Sequence, residues 1–343
     1  MPDMDGSVIV VGGGAAGMEA AGQLMQEGLS VTLIEKETEL GGHVKDWHHL
    51  FPDRRKSSDV LAYLKKRIEG VNVITGTSVD SFRKKDNEFI VSTGNGDTLH
   101  GNAILLTTGF DLFRSERKEE YGYGIYDNVI TSADLEKMFT RKKLLLKNGE
   151  KPSRIGLLHC VGSRDEKVGN LYCSKLCCVT AVKQAIELKE YLSDSKVFCF
   201  YMDMRMGGAH YEELYREAQE KYGVGFIRGK ISEVSENINH KLVIKVEDTL
   251  AGRPLRMELD MLVLMAGMEM SEGGSRLAVS GKIKTGENRF FAPADLHFAS
   301  NKSNVSGLFY AGTCTAPMNI TETISHARGA VTDIINYLKT SRK

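Results

Sequence analysis

"SVIVVGGGAAGMEAAGQLMQEGLSVTLIEKE", Ser7 to Glu37, is the stretch from which the rest of the chain can be read. It reads as strand, tight turn, helix, strand. Ser7 to Val11 are mostly β-branched and run straight into glycine, as a buried parallel strand should. Gly12, Gly14 and Gly17 fit the pattern G-x-G-x-x-G. The first permits the turn, the second lets backbone approach a pyrophosphate, and the third lets the helix pack closely. Ala15 to Glu27 makes a helix whose N-terminal amides and dipole face the phosphates. Glu35 ends the next strand, eighteen residues after Gly17, where its carboxylate can accept from ribose hydroxyls. A glycine-rich turn without a ligand leaves Glu35 unexplained. The chain therefore opens with a dinucleotide-binding unit.

At 343 residues the length suits about two domains. Lys plus Arg equals Asp plus Glu, 45 each, so no global field favours nucleic acid. No apolar run reaches the roughly 18 residues that a membrane span needs. "MPDMDG" at the start lacks the basic and apolar regions of a signal peptide. The cytoplasm is the expected location, and there the six cysteines are more at home as ligands, catalysts or core than as staples.

Three further segments decide between FAD and NAD. "KETELGGHV", Lys36 to Val44, resembles the second signature of FAD-binding flavoproteins built from two dinucleotide-binding domains. "AILLTTGFD", Ala103 to Asp111, matches their strand ending in a Thr-Gly turn. "VSGLFYAGTCTAPMNITETISHARGAV", Val305 to Val331, resembles their last strand and helix. That resemblance implies FAD contacts along Gly12, Gly14, Ala15, Ala16 and Gly17, and at Glu35 and Lys36. It extends them to Gly42, His43 and Val44, to Val79, to Thr108 and Gly109, and to Gly312, Thr313 and Ile320. Thr313 departs from the pattern, since many relatives carry Asp there, so contact by hydroxyl or backbone is expected.

The implied fold is α/β, a thioredoxin-reductase-like pair of dinucleotide-binding domains. The FAD domain would be discontinuous, 1–150 and 285–343, with the first crossing in the Lys-, Gly- and Pro-containing "LLLKNGEKPS". The insert, 151–284, starts with the strand "RIGLLHC", and its strands and helices outline a second doubly wound domain. Its first turn should carry another glycine fingerprint for NAD(P)H. It reads "HCVGSRDEKVGNLYCSKLCCVT" instead, His159 to Thr180. Cysteines occupy the nicotinamide-phosphate slot.

Cys160, Cys173, Cys177 and Cys178 are spaced C-x12-C-x3-C-C. The spacing predicts Cys173 and Cys177 one helical turn apart on a shared face, with Cys178 rotated by about 100°. Cys160 would close the set from the strand end, and helix N-terminal amides would favour thiolates. Four thiolates suit a 4Fe–4S cluster or zinc. The C-x2-C knuckles usual for zinc are absent, a vicinal disulfide leaves Cys160 and Cys173 over, and no C-x-x-C redox pair exists. Cys199 reads as core. Cys314 should lie near the flavin, with packing weighed against a redox role.

With these cysteines joined to the FAD segments, the chain resembles the heterodisulfide reductase A-subunit family. "YCSKLCCVTAVKQA", "HCVGSRD" and "LGGHV…FP" (Leu40 to Pro52) carry the resemblance, which covers essentially all of the chain. It implies an electron-transfer flavoprotein in which FAD exchanges electrons with the nearby cluster and with partner subunits. No cysteines remain for the ferredoxin-like domains of longer members, and "DRRKSSDVLAYL" replaces the cysteines many relatives carry after "LFP". The chain is thus similar to the short A-type component of heterodisulfide-reductase-like complexes in sulfur oxidisers. B- and C-type subunits and a lipoate-binding protein would be its partners, and a homodimer is expected. The alternatives are the A-type component of a quinone-interacting membrane-bound oxidoreductase and a stand-alone NAD(P)H-dependent flavin oxidoreductase. A flavin-bound structural or tRNA-modifying protein is disfavoured by the neutral charge. In the family the lysine five positions after the cysteine pair, here Lys183, lies near the flavin ring. Against that stands a solvated polar stripe of Lys183, Glu187 and Glu190 at helical spacing.

Overall fold

In a computed structural model the chain, described over residues 6–341, divides into two compact units. The first comprises residues up to Lys45, Ser58–Asp111 and the chain from Glu269 onward; the second comprises Asp46–Ser57 and Leu112–Met268. Most of "MPDMDG" lies outside the described residues. Among those described, no helix is long and apolar enough to cross a membrane.

The first unit is built on a parallel sheet in the order Leu308–Tyr310, Ala103–Leu106, Ser7–Val11, Ser30–Ile34, Asn72–Ile74. Val8 to Val11 and Ala103 to Leu106 are buried on both faces, so these strands are apolar without alternation. The helices Ala15–Gln26 and Ile320–Thr340 pack through small side chains, among them Ala20, Ala21, Ala327 and Ala330, all buried. Asn319 and Glu322 close a reciprocal capping box at the start of the second of these helices. A separate antiparallel sheet, Val79–Lys85, Glu88–Thr93 and Thr98–Gly101, belongs to the same unit.

The second unit repeats the doubly wound plan. Its parallel sheet runs Val129–Thr131, Met261–Ala266, Arg154–Val161, Lys196–Tyr201, Gly225–Arg228. The helix Cys177–Tyr191 makes the crossover from Arg154–Val161 to Lys196–Tyr201. Strands Ile231–Glu236, Leu242–Asp248 and Arg253–Leu259 form an antiparallel sheet whose Ile244, Val246 and Leu259 share one core with Leu158, Phe200 and Leu264. Cys199 is wholly buried in its strand, a core residue as expected.

The expected crossings at 150 and 285 lie elsewhere. Val129–Thr131 pairs with Met261–Ala266, which commits the segment before residue 150 to the second sheet. The chain passes between units at 111/112 and 268/269, and "LLLKNGEKPS" is a loop within the second unit. Lys, Gly and Pro marked a loop there, and a loop need not be a domain crossing.

One buried carboxylate holds that loop to the sheet. Asp260 Oδ2 accepts from Ser153 N at 2.7 Å and Arg154 N at 2.9 Å, and Lys241 Nζ lies 2.5 Å from Oδ1. Burial works against the charge, but Lys241, Ser153 and the amides outweigh it and bring the carboxyl down to about 2. A depressed pKa contributes stability above the ordinary value, and that stability is lost as pH falls toward the folded value. Asp260→Asn should therefore cost about 2 kcal/mol at neutral pH. The gap between variant and wild type should close between the ordinary pKa of 3.8 and about 2. Urea unfolding across that range checks it; a gap independent of pH would show that the charge contributes nothing.

Candidate functional site

In the first unit the three glycines meet three different demands. Gly12 has φ +112°, and a Cβ there would lie 2.4 Å from Thr107 O. Gly17 is tighter still, with a Cβ 1.9 Å from Gly12 O. Gly14 is open: nothing lies within 4 Å of the position a Cβ would take. Gly14 also caps the helix Ala15–Gln26 without any side-chain hydrogen bond. The first amides of a helix have no partners within it, so those of Ala15, Ala16 and Gly17, beside this open position, can cradle an anion. Glu35 is buried beside it, accepting from Gly13 N at 2.6 Å and Glu37 N at 2.9 Å. Two amides fix the carboxylate, and its remaining lone pairs can take ribose hydroxyls.

The other expected segments converge on this helix start. Gly41 N donates to Gly13 O at 2.9 Å, and a Cβ on Gly42 (φ +51°) would stand 3.3 Å from Gly14 Cα. A Cβ on Gly312 would stand 2.9 Å from Ala16 Cβ, and one on Gly109 would be 3.9 Å from Thr313 Oγ1. Thr108 Oγ1 is buried without a hydrogen-bond partner, as a group awaiting a ligand would be. His43 stacks on Phe110 with ring centroids 4.4 Å apart, its Nε2 2.8 Å from Phe110 O, and Val44 is buried. Ile320 opens the long helix directly after its Asn319 cap. Lys36 is exposed, with its ammonium 3.8 Å from Glu37 Oε1, and Val79 begins the antiparallel sheet.

Two residues of this site carry no signal in the sequence. Thr107 Oγ1 donates to Val11 O and Gly12 O, at 2.9 and 2.8 Å, and locks the glycine turn. His326 Nδ1 accepts from Gly312 N at 3.0 Å, and burial keeps the ring below its usual pKa. Cys314 lies in the same segment, with its thiol turned to Leu106 O and Ala311 O and pushed up to about 12 by burial. That is a packing residue.

The second unit gathers the four cysteines where its first strand gives way to its helix. Cys160 takes the left-handed φ of +58°, rare for a residue with a side chain. The pairing of its strand with Met261–Ala266 shifts register between Leu158 and Val161 at the same place. Such an irregularity re-aims side chains, and Cys160 Sγ comes to 3.5 Å from Cys177 Sγ. Cys178 Sγ lies 3.6 Å from Asp203 O, and all six cysteines are free thiols. Cys173 is placed differently from expectation. The helix begins at Cys177, and Lys175 before it has φ +62°, so Cys173 sits in the preceding turn and shares no helical face with Cys177. Its sulfur accepts from Lys175 N at 3.2 Å.

The thiols divide their protons unevenly. The hydrogen bond from Cys177 lowers Cys160 and brings Cys178 down to about 4, the latter against burial and with help from His159. Cys177 itself is raised well above the thiol range by the same bonds. Arg164 and Arg205 add positive charge near Cys160. Among the described residues, His48, His49 and Glu187 are the one group of three metal-ligating side chains with ligand atoms all within 4.8 Å of one another. No three of the cysteine sulfurs are gathered that closely. A tetrahedral zinc would draw its sulfurs to roughly 3.8 Å of one another, from a Zn–S bond of about 2.3 Å. The thiolate set, strung between strand end, turn and helix start, fits a larger body better.

Lys183 departs from the solvated stripe. It is 2% exposed, and its ammonium reaches Glu136 Oε1 at 2.5 Å, His49 O at 3.0 Å and Glu187 Oε2 at 3.2 Å. Thr131 and Asp134 cap the helix Ser132–Thr140 that supplies Glu136. Two of the three ammonium donors are committed to Glu136 and His49 O, and Glu187 adds an ion pair. Burial works against the charge, but the two carboxylates hold Lys183 protonated. His49 Nδ1 lies 2.7 Å from Glu187 Oε1, so a hydrogen bond accounts for that contact. Glu190 bonds Arg54 and Tyr222 Oη.

Comparison with known proteins gives a consistent picture. Residues 2–128 match the pyridine nucleotide-disulphide oxidoreductase family. The A-type component of the H(2)/formate:CoB-CoM heterodisulfide,ferredoxin reductase of Methanococcus maripaludis is 40% identical over 238 residues, covering 67% of this chain and 36% of that protein. The iron-sulfur A-type component of the CoB–CoM heterodisulfide reductase of Methanocaldococcus jannaschii is 29% identical over 421 aligned positions, covering 97% of this chain and 64% of that protein. The chain thus spans less than two thirds of the length of either relative. Among solved structures, the thioredoxin reductase of T. acidophilum superposes with TM-score 0.68 at 19% identity, covering 98% of this chain and 99% of that one. An NAD-dependent persulfide reductase from A. fulgidus gives 0.62 at 17% identity, covering 96% of this chain and 59% of that one. The fold is that of the two-dinucleotide-binding flavoproteins, and it supports FAD as cofactor.

Proposed function

This chain belongs to the heterodisulfide reductase A-subunit family of oxidoreductases, and we propose that it is the FAD- and 4Fe–4S-carrying electron-transfer subunit of a heterodisulfide-reductase-like complex. The observation that carries the reading is the occupancy of the second unit's first crossover turn. A dinucleotide would need a glycine turn and free helix amides there. Cys160 stands at the strand end and Cys177 and Cys178 at the helix start instead.

Gly12 to Gly17 and Glu35 would hold the FAD pyrophosphate and ribose, and Thr108 and Thr313 would face the rest of the cofactor. Cys160, Cys173, Cys177 and Cys178 would hold the cluster. Bound together, flavin and cluster supply a two-electron and a one-electron carrier in one chain. The cysteines exclude water, being buried except for Cys173. Lys183 meets its two carboxylates and His49 O in the structure, and a flavin contact would exchange one of those bonds. The partners we propose are B- and C-type subunits and, in cytoplasmic sulfur oxidation, a lipoate-binding protein, with the chain itself a homodimer.

Absence of a second dinucleotide grip leads to a direct test. A hydride passes only between stacked nicotinamide and flavin rings, so the pyrophosphate must be anchored. Anaerobic stopped-flow mixing of the isolated chain with micromolar NADH should leave the flavin absorbance unbleached on the timescale of typical turnover, about 10 s⁻¹. A low-potential one-electron donor should bleach it. Rapid bleaching by NADH would establish a nicotinamide site and replace this reading with that of a self-sufficient reductase.

A further inference from the structure

The imidazole of His159 is 3% exposed, and neither of its nitrogens makes a hydrogen bond. A ring carries a donor and an acceptor when neutral and two donors when charged, so burial in this state leaves polar groups unsatisfied at a cost. The local backbone explains how the ring came to be there. In a regular strand His159 and Cys160 would face opposite sides of the sheet. With Cys160 at φ +58° the alternation breaks, and the Cys160 side chain turns to the start of the helix Cys177–Tyr191. Cys160 Sγ meets Cys177 Sγ at 3.5 Å, and Cys178 Sγ lies 3.6 Å from Asp203 O, just past the end of the strand Lys196–Tyr201. The His159 ring stands at that same strand end, its centroid 6.3 Å from that of Tyr201.

We propose that His159 donates a ring N–H to Cys178 Sγ in the cluster-loaded protein and thereby sets the cluster's reduction potential. The inference rests on the reading that the four cysteines hold a cluster. Reduction adds one electron and makes the ligand sulfurs more negative. A fixed N–H donor stabilises that state more than the oxidised one, and such donors are among the protein's levers on cluster potential. His159 acts through Cys178 and is a positioning residue. Its burial matters as much as its proton, because a dry site strengthens the bond.

The test uses the anaerobically purified holoprotein, with iron content measured beside an EPR-monitored redox titration. His159→Leu should lower the potential by the equivalent of a tenfold or larger change in the reduction equilibrium, 59 mV for a one-electron couple. His159→Gln, whose carboxamide keeps an N–H, should recover part of the shift. Pulsed EPR of the reduced wild type carrying ¹⁵N-histidine should show a weak nitrogen coupling that His159→Gln removes. This last measurement decides the matter even if His159→Leu fails to fold. Wild type with full iron but no histidine coupling, or variants with full iron and an unshifted potential, would overturn the inference and leave the cluster reading standing. Wild type without iron would overturn the cluster reading itself.

Discussion

The Cys178→Ser protein is expected to keep its FAD and to lose most of its iron, falling from about four atoms per chain toward none. A serine hydroxyl is a hard, weakly acidic donor and cannot replace a soft thiolate at neutral pH. Cys178 is the thiol brought down to about 4, and its sulfur is fixed at the helix start. Cys177→Ser should behave alike, because Cys177 approaches Cys160 at 3.5 Å and completes the same set. Cys199→Ser is the control: that side chain is wholly buried in a strand, with its thiol pushed up by burial, and iron should be unchanged. FAD should survive in all three, since the grip we propose for it lies on the glycine turn of the other unit. A Cys178→Ser protein with full iron and an unaltered reduced-state EPR signal would remove Cys178 from the ligand set.

Gly14→Ala should separate cofactor binding from folding. A Cβ at this position meets nothing within 4 Å in the protein, and its φ of −78° suits any residue. Apoprotein stability should therefore change by no more than about 0.5 kcal/mol. The same Cβ projects into the cradle proposed to hold the pyrophosphate against the backbone, so FAD affinity should fall by about a hundredfold, roughly 2.7 kcal/mol. Gly17→Ala should do the reverse and damage the fold itself, because its Cβ would stand 1.9 Å from Gly12 O. Flavin titration beside thermal unfolding of both apoproteins reads the two effects. Undiminished FAD affinity in Gly14→Ala would place the cofactor elsewhere.

What the residues announced and what they concealed follow one physical division. Gly12, Gly14, Gly17 and Glu35 act within a single strand–turn–helix–strand unit, so their spacing alone indicates the arrangement. Cys160, Cys177 and Cys178 are likewise set by one crossover. Cys173 left the expected helix because Lys175 adopts a left-handed φ, which nothing about a lysine signals. The unit boundaries depended on Val129–Thr131 finding Met261–Ala266 across the sequence, a pairing no local pattern carries. Lys183 looked like surface because its partners, Glu136 and His49, are 47 and 134 residues away. His326 and Thr107 reach the glycine turn by contacts equally remote in sequence.

The short segment Asp46–Ser57 bears on how this protein can be taken apart. It leaves the first unit at Lys45, directly after Gly42 to Val44, and belongs to the other one. There its His49 carbonyl accepts from Lys183, the His49 ring meets Glu187, and Arg54 meets Glu190. A recombinant fragment limited to residues 112–268 would look like a complete module yet lack these groups. Lys183 would lose one acceptor and Glu187 its histidine, and stripping a partner from buried charge typically costs about 3–5 kcal/mol. Modularity, in this chain, stops short of the gene: the two halves are interlaced in sequence, and neither can be excised, transplanted or swapped with a relative as one continuous block.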